Sequence, residues 1–214
     1  MKNTLLFFVC NFLLFSANAQ FAQGQQMIGG QFAFSNQHTE SSAVAPSNSN
    51  FVVAAFSLSK FATPNIIKGF GLNYSYGDNA SSSITYSFGA FYNYSKLETL
   101  AKRFYLSFGG TAAINYGETK YAPVIYSNTI KRSSLIPSIA LDLGLLYQLN
   151  NRFLATANLV NLANLSYSIN NTQFNQAGTS ILYSTKSNTI NLNTGLNGLS
   201  LNNISIGFRY LLKK

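Results

Sequence analysis

The chain has 214 residues, a net charge of +9, and 9% charged side chains against 47% hydrophobic ones. Soluble domains carry about 25% charged residues, so this chain lacks the charged skin that a water-soluble domain of its size needs. No apolar run of about 18 residues follows the N-terminal leader, so no transmembrane helix is expected; apolar content without such a run leaves a closed β-barrel, whose backbone groups all pair between strands.

The leader opens with Met1 and Lys2. An apolar stretch from Leu5 to Phe15 follows, broken by Asn11, and ends at Ala17-Asn18-Ala19. A single positive residue, a short apolar core and an A-x-A site make a secretory signal peptide, cleaved after Ala19. Residues 1–19 are therefore the signal peptide and 20–214 the mature domain, exported by the Sec pathway. Cys10 is the one cysteine and lies in the leader. The mature chain is then expected to hold no disulfide, no thiolate metal site and no cysteine nucleophile.

Successive strand residues point to opposite faces of a sheet, and that two-residue rhythm marks eight strands in chain order. The first, about Met27 to Ser35, puts Ile28, Phe32 and Phe34 on one face and Gly29, Gln31, Ala33 and Ser35 on the other. A polar stretch, 36–50, reads as a long loop. The second strand, about Phe51 to Ser59, aligns Val52, Ala54, Phe56 and Leu58, with Phe51 and Val53 on the other face. The third is sharper: Ile66, Phe70, Leu72, Tyr74 and Tyr76 alternate with Gly69, Gly71, Asn73, Ser75 and Gly77, Lys68 and Ile67 being the exceptions. The turn Gly77-Asp78-Asn79 leads to the fourth strand, about Ser82 to Tyr94, with Ile84, Tyr86, Phe88, Ala90, Tyr92 and Tyr94 aligned and Phe91 as an inward exception. A charged connection is expected from Lys96 to Arg103.

The fifth strand, about Phe104 to Tyr116, aligns Phe104, Leu106, Phe108, Ala112, Ile114 and Tyr116. A second long loop is expected over 117–133. The sixth strand, Ser134 to Leu149, carries Leu135, Ile139, Leu141, Leu143, Leu145, Tyr147 and Leu149 on one face. Pro137 cannot donate to a ladder and is expected near the strand's outer end. Asn150-Asn151 turns the chain into the seventh strand, about Arg152 to Ile169, where Asn161 on the apolar face signals a bulge or register change. A last loop is expected over 170–188, and 189–198 reads either as loop or as strand. The eighth strand, about Leu201 to Leu212, sets Ile204, Ile206, Phe208, Tyr210 and Leu212 against Ser205, Gly207 and Arg209.

The bulky face is expected to point outward. Eight strands with about five large side chains each would send roughly 40 of them into a space that holds far fewer. The other face carries Gly, Ser, Ala, Thr and Asn, which suit a tight interior, whereas a water-facing surface would carry Lys, Glu and Asp. Tyrosines near strand ends suit two aromatic girdles. Short connections after strands two, four and six, and long ones after one, five and seven, match short periplasmic turns and longer external loops; the connection after strand three is short. The basic residues Lys60, Lys68, Lys96, Lys102, Arg103, Arg152, Lys213 and Lys214 fall at strand ends. They form no compact patch interleaved with stacking aromatics, which argues against nucleic acid and for anchoring at headgroups.

The segments 69–76 (Gly-Phe-Gly-Leu-Asn-Tyr-Ser-Tyr), 104–111 (Phe-Tyr-Leu-Ser-Phe-Gly-Gly-Thr) and 199–211 give the chain its likeness to a known family. It resembles the small bacterial outer-membrane β-barrel proteins of the OmpA-transmembrane and OmpX-like kind, with a porin-like fold. The fold expected is all-β: a transmembrane antiparallel up-and-down barrel of eight strands. The resemblance implies outer-membrane lipid as surroundings, delivery by periplasmic chaperones, and insertion by the barrel-assembly machinery. Ile206, Phe208 and Tyr210 look like the C-terminal signal that machinery reads. The family usually ends on an aromatic residue; this chain ends Leu212-Lys213-Lys214.

No catalytic, cofactor or metal site is expected. His38, the one histidine, has Glu40 two residues on and many serines nearby, but a serine-rich loop produces such neighbours by chance, and one histidine cannot hold a metal. Asp142 and Arg209 are the two charges placed on the lumen face. They form a candidate pair inside the barrel, where an unpaired charge is costly. Function is expected in structure or surface interaction through the external loops. The alternatives are a narrow channel or transporter for small solutes and, more weakly, a lipid-modifying enzyme. No external ligand is identified.

Overall fold

The computed structural model describes residues 21–41, 44–79, 83–121, 129–175, 181–194 and 205–212. The leader, its expected cleavage site and Cys10 lie outside them. The strands are β1 (Gln26–Ser41), β2 (Val44–Thr63), β3 (Ile66–Asn79), β4 (Ser83–Ala101), β5 (Phe104–Tyr121), β6 (Thr129–Gln148), β7 (Phe153–Asn175), β8 (Ile181–Thr194) and β9 (Ser205–Leu211). All the ladders between them are antiparallel.

Strands β1 to β7 pair in sequence, and β9 closes the ring by pairing with β1 on one side and β7 on the other. Eight strands therefore form the barrel. β8 lies in line with β9 on the same side of β7, opposite β6: β9 pairs with Phe153–Asn158 and β8 with the upper part, from Ala163 to Asn175. Among the described residues the ring closes where β9 pairs with Met27–Phe32 of β1 and with Phe153–Asn158 of β7, and a closed ring of paired strands is the condition for a sheet in hydrocarbon.

Closure also requires stagger. From Phe153, ladder partners run through Tyr210, Ile28, Leu58, Phe70, Tyr92, Ala112 and Ile139. The path returns to β7 at Leu165, twelve residues higher. Two register shifts on the β6–β7 ladder, at Leu141/Asp142 and Leu143/Gly144, account for part of that climb and fall where Asn161 signalled one. Such stagger tilts the strands about 35–45° from the barrel axis.

The bulky face is outside. Phe32, Phe56, Phe70, Leu72, Phe88, Ile139, Leu165, Ile206 and Phe208 are all exposed. On β3 the apolar row lies between Lys68 and Asp78. Ten residues at about 3.3 Å each, tilted about 40°, give roughly 25 Å of height, the apolar band of a membrane barrel. Aromatic pairs border it below, with Phe104–Tyr147 and Phe153–Tyr210 ring centroids both 5.1 Å apart. Tyr86 and Tyr116 border it above.

The structure departs from the expected boundaries where strands leave the band. The stretch 36–50, read as a loop, is strand up to Ser41 and again from Val44. Likewise β5 continues to Tyr121, β6 starts at Thr129, β7 continues to Asn175, and 181–194 is a strand. Outside the band both faces meet water, so alternation disappears while the ladder persists. The connection expected over 96–103 is mostly β4, which runs to Ala101. Pro137 sits inside β6, opposite Ile114. Its missing donor is tolerated because the ladder to β7 steps from Leu135 to Ser138 without Ile136 or Pro137.

Candidate functional site

The lumen was expected to be small and polar apart from single exceptions such as Ile67 and Phe91; its lower end is neither. Each of the eight wall strands sends one large apolar side chain inward beside its short-turn end: Met27, Phe61, Ile67, Leu97, Tyr105, Leu146, Leu154 and Leu211. All are buried, Phe61 and Leu154 completely. Phe21 completes the layer. Its ring stacks on Phe61 at 4.3 Å and tilts against Tyr105 at 5.1 Å. Gly24, at φ 80°, makes the turn that folds Phe21 under the barrel, a conformation glycine adopts at no steric cost. Gly24 N–H donates to the Phe61 carbonyl at 2.7 Å, and Phe61 N–H donates to the Gln25 carbonyl at 2.9 Å. The result is an apolar floor across the barrel.

Above the floor is a polar cavity of about 150 Å³. Ser57, Asn93, Ser95, Thr111, Asp142 and Arg209 contribute its polar walls. The amide oxygens of Asn93 and Asn158, both in its lining, are buried without a protein partner among the described residues. Buried polar groups of this kind favour ordered water, so the cavity suits water and the apolar floor does not.

Two inward glycines seat the two bulkiest side chains of this layer. Gly71 lies opposite Phe91, and a methyl group there would strike both the Phe91 ring and the Phe56 carbonyl. Gly29 lies opposite Arg209; a Cβ would stand 3.1 Å from Arg209 Cγ and 2.8 Å from Ser57 Oγ. Small-against-large pairing fills a narrow barrel without strain.

Asp142 and Arg209 thus face one cavity, from β6 and β9. Their partners differ from a direct ion pair. Thr111 Oγ1 donates to Asp142 Oδ2 at 3.2 Å and Asn161 Nδ2 donates to Oδ1 at 3.2 Å. Among the described residues the ion pairs lie elsewhere, and Arg209 Nη1 has no hydrogen-bond partner. We expect the two charges to interact across the cavity. A double-mutant cycle with Asp142→Asn and Arg209→Gln, read by urea unfolding in detergent, should give a coupling of about 0.5–1 kcal/mol. Zero coupling would mean that each charge is solvated alone.

Charge on the outer surface collects at the edges of the apolar band. Above it, the buried Glu118 carboxylate meets Lys131 Nζ at 2.8 Å and Lys120 Nζ at 3.8 Å. Hydrogen bonds from Lys131 and Tyr86 hold that carboxyl below the ordinary carboxylate range. His38 lies on β1, its backbone paired with Asn48; its side chain is outside the described ones. Among the described residues no three His, Cys, Asp or Glu side chains gather as a metal site would need.

Sequence reasoning missed the floor. Its signal was present: one large apolar residue on the small-residue face of each strand, always beside a short turn or a chain end.

A closed barrel, apolar outside, polar within and floored at the short-turn end, defines the class: a transmembrane antiparallel β-barrel with the architecture of outer-membrane proteins. No protein-family model matches the chain, and no curated protein does. Among solved structures it is similar to a major outer membrane protein from Thermus thermophilus. That match has TM-score 0.49 and 8% identity, and covers 87% of this chain and 99% of that one. It is also similar to the outer membrane protein OprG from Pseudomonas aeruginosa, with TM-score 0.49, 11% identity and coverage of 91% and 99%. A third is the translocator domain of the autotransporter NalP from Neisseria meningitidis, with TM-score 0.44, 11% identity and coverage of 98% and 94%. Identities this low carry no residue's role across.

Proposed function

We propose that this is an outer-membrane barrel that works at the cell surface through its protruding hairpins and does not conduct. The floor carries this reading: nine packed apolar side chains cross the lumen, and a dry, close-packed layer leaves ions no hydrated path. The hairpins supply the working surface. β7 continues from Ile169 to Asn175, about 20 Å of strand, paired with β6 and β8 throughout. On β8, residues 184–189 are all exposed and offer Asn, Ser, Thr and Lys186 to a partner. No reaction is assigned to the barrel. Periplasmic chaperones and the barrel-assembly machinery are the expected partners during biogenesis.

A second reading, a narrow pathway for small solutes, draws on the 150 Å³ cavity above the floor. Planar-bilayer recording separates the two. The purified protein should show no unitary conductance, and replacing Phe21, Phe61 and Tyr105 together by serine should create steps. Steady conductance from the unaltered barrel would overturn the closed-lumen reading.

A further inference from the structure

The ladder between β2 and β3 places Lys60 directly opposite Lys68. Both follow the register of the lipid-facing side. The rung above them is Leu58 opposite Phe70, both exposed to the apolar surroundings. Below them lies the short turn, where Thr63 Oγ1 donates to Asn65 Oδ1 at 2.8 Å. The two lysines therefore stand on the outer wall where the apolar band gives way to the headgroup layer.

Like charges directly opposite on a ladder are destabilising, and their Cβ atoms lie only about 4.5–5.5 Å apart. Three other outward lysines beside the band meet a carboxylate within the protein. Lys96 Nζ meets Glu98 Oε1 at 2.7 Å, and Lys120 and Lys131 share Glu118. Among the described residues neither Lys60 nor Lys68 takes part in such a pair. Lys68 Nζ instead lies over the Tyr94 ring, 5.6 Å from its centroid, which fixes the direction of one ammonium group without cancelling its charge.

We propose that Lys60 and Lys68 form a two-point clamp for the phosphate of an anionic phospholipid in the leaflet on the short-turn side. A headgroup phosphate stands at this depth, its oxygens accept from both ammonium groups, and charge-assisted bonds of this kind are the strong ones. Its negative charge turns a repelling rung into a bridged one. An anionic lipid serves better than a zwitterionic one, because the latter brings its own cation to a site that already holds two. The clamp depends on the outward apolar face and is independent of whether the lumen conducts.

The test uses the full mature chain in two settings. In neutral detergent without lipid, K60Q should unfold no sooner than the unaltered protein, because it relieves repulsion. In phosphatidylcholine vesicles containing phosphatidylglycerol, the order should reverse. The unaltered barrel gains thermal stability from the anionic lipid, read as the midpoint of heat-modified gel migration, and K60Q/K68Q does not. Native mass spectrometry should show a retained phosphatidylglycerol adduct that the double variant weakens about tenfold or more, given roughly 1 kcal/mol per lysine near an anionic surface. K102Q, at the β4–β5 turn, should keep the adduct. Inorganic phosphate in detergent should yield none, which separates a lipid site from a free-phosphate site. Equal loss in K102Q, or an unchanged lipid response in K60Q/K68Q, would overturn the proposal.

Discussion

Phe61→Ala is expected to destabilise the barrel by about 3–5 kcal/mol, the range for removing a fully buried aromatic ring from a packed core. Phe61 is 0% exposed and stacks on Phe21, so alanine leaves a cavity between Phe21 and the wall. The backbone bonds of Phe61 to Gly24 and Gln25 survive the change, which limits how far the segment can collapse to fill it. Phe56→Ala is the control. That ring faces outward at 50% exposure, where lipid chains fill the space left behind, and its loss should be clearly smaller. The chain has no tryptophan, so unfolding by urea in detergent is best followed by far-ultraviolet circular dichroism. Equal losses at the two sites would mean that the floor is not a packed core.

The second large effect is expected on the opposite face. Leu72→Arg should cost about 2–4 kcal/mol in vesicles, the penalty for an arginine near the bilayer midplane. Leu72 stands midway between Lys68 and Asp78 and is 64% exposed. Asp78→Arg, at the upper edge, should cost at most about 1 kcal/mol. The contrast reads orientation directly, because an exposed leucine on a water-soluble protein accepts arginine with a change within about 0.5 kcal/mol. Indifference to Leu72→Arg would place that face in water.

How much of this was legible in the sequence depends on what each residue's two faces meet. On β3 the environments differ sharply, and the row Phe70, Leu72, Tyr74, Tyr76 against Gly69, Gly71, Asn73, Ser75 gave both the strand and its orientation. On 184–188 the exposed residues of both faces are polar, so Ser, Thr and Asn read as loop although the ladder to β7 runs through them; below them Ile190 and Leu192, opposite Tyr167 and Leu165, resume the outward apolar row. The bulge beside Asn161 was readable because a polar group interrupted an apolar row. The interior position of Pro137 was not, because it depends on a gap in a neighbouring ladder. Asp142 and Arg209 were readable as inward charges, and the structure sets them around one cavity with separate contacts. The floor escaped because each strand contributes a single member. Ile67 alone looks like a misfit and Leu97 like part of a charged turn; only ring closure reveals them as one layer.

The seam that completes the ring joins the two ends of the sheet. Among the described residues β9 shares six residue pairs with β1 and six with β7. Met27 faces Leu211 at the foot of that seam, so the layer at the base acts as a hoop across the joint between the first strand and the last. Until the last strand docks, that layer lacks Leu211 and Met27 lacks its cross-strand neighbour, so fastening the two margins of the sheet and finishing the oily plug are one and the same step.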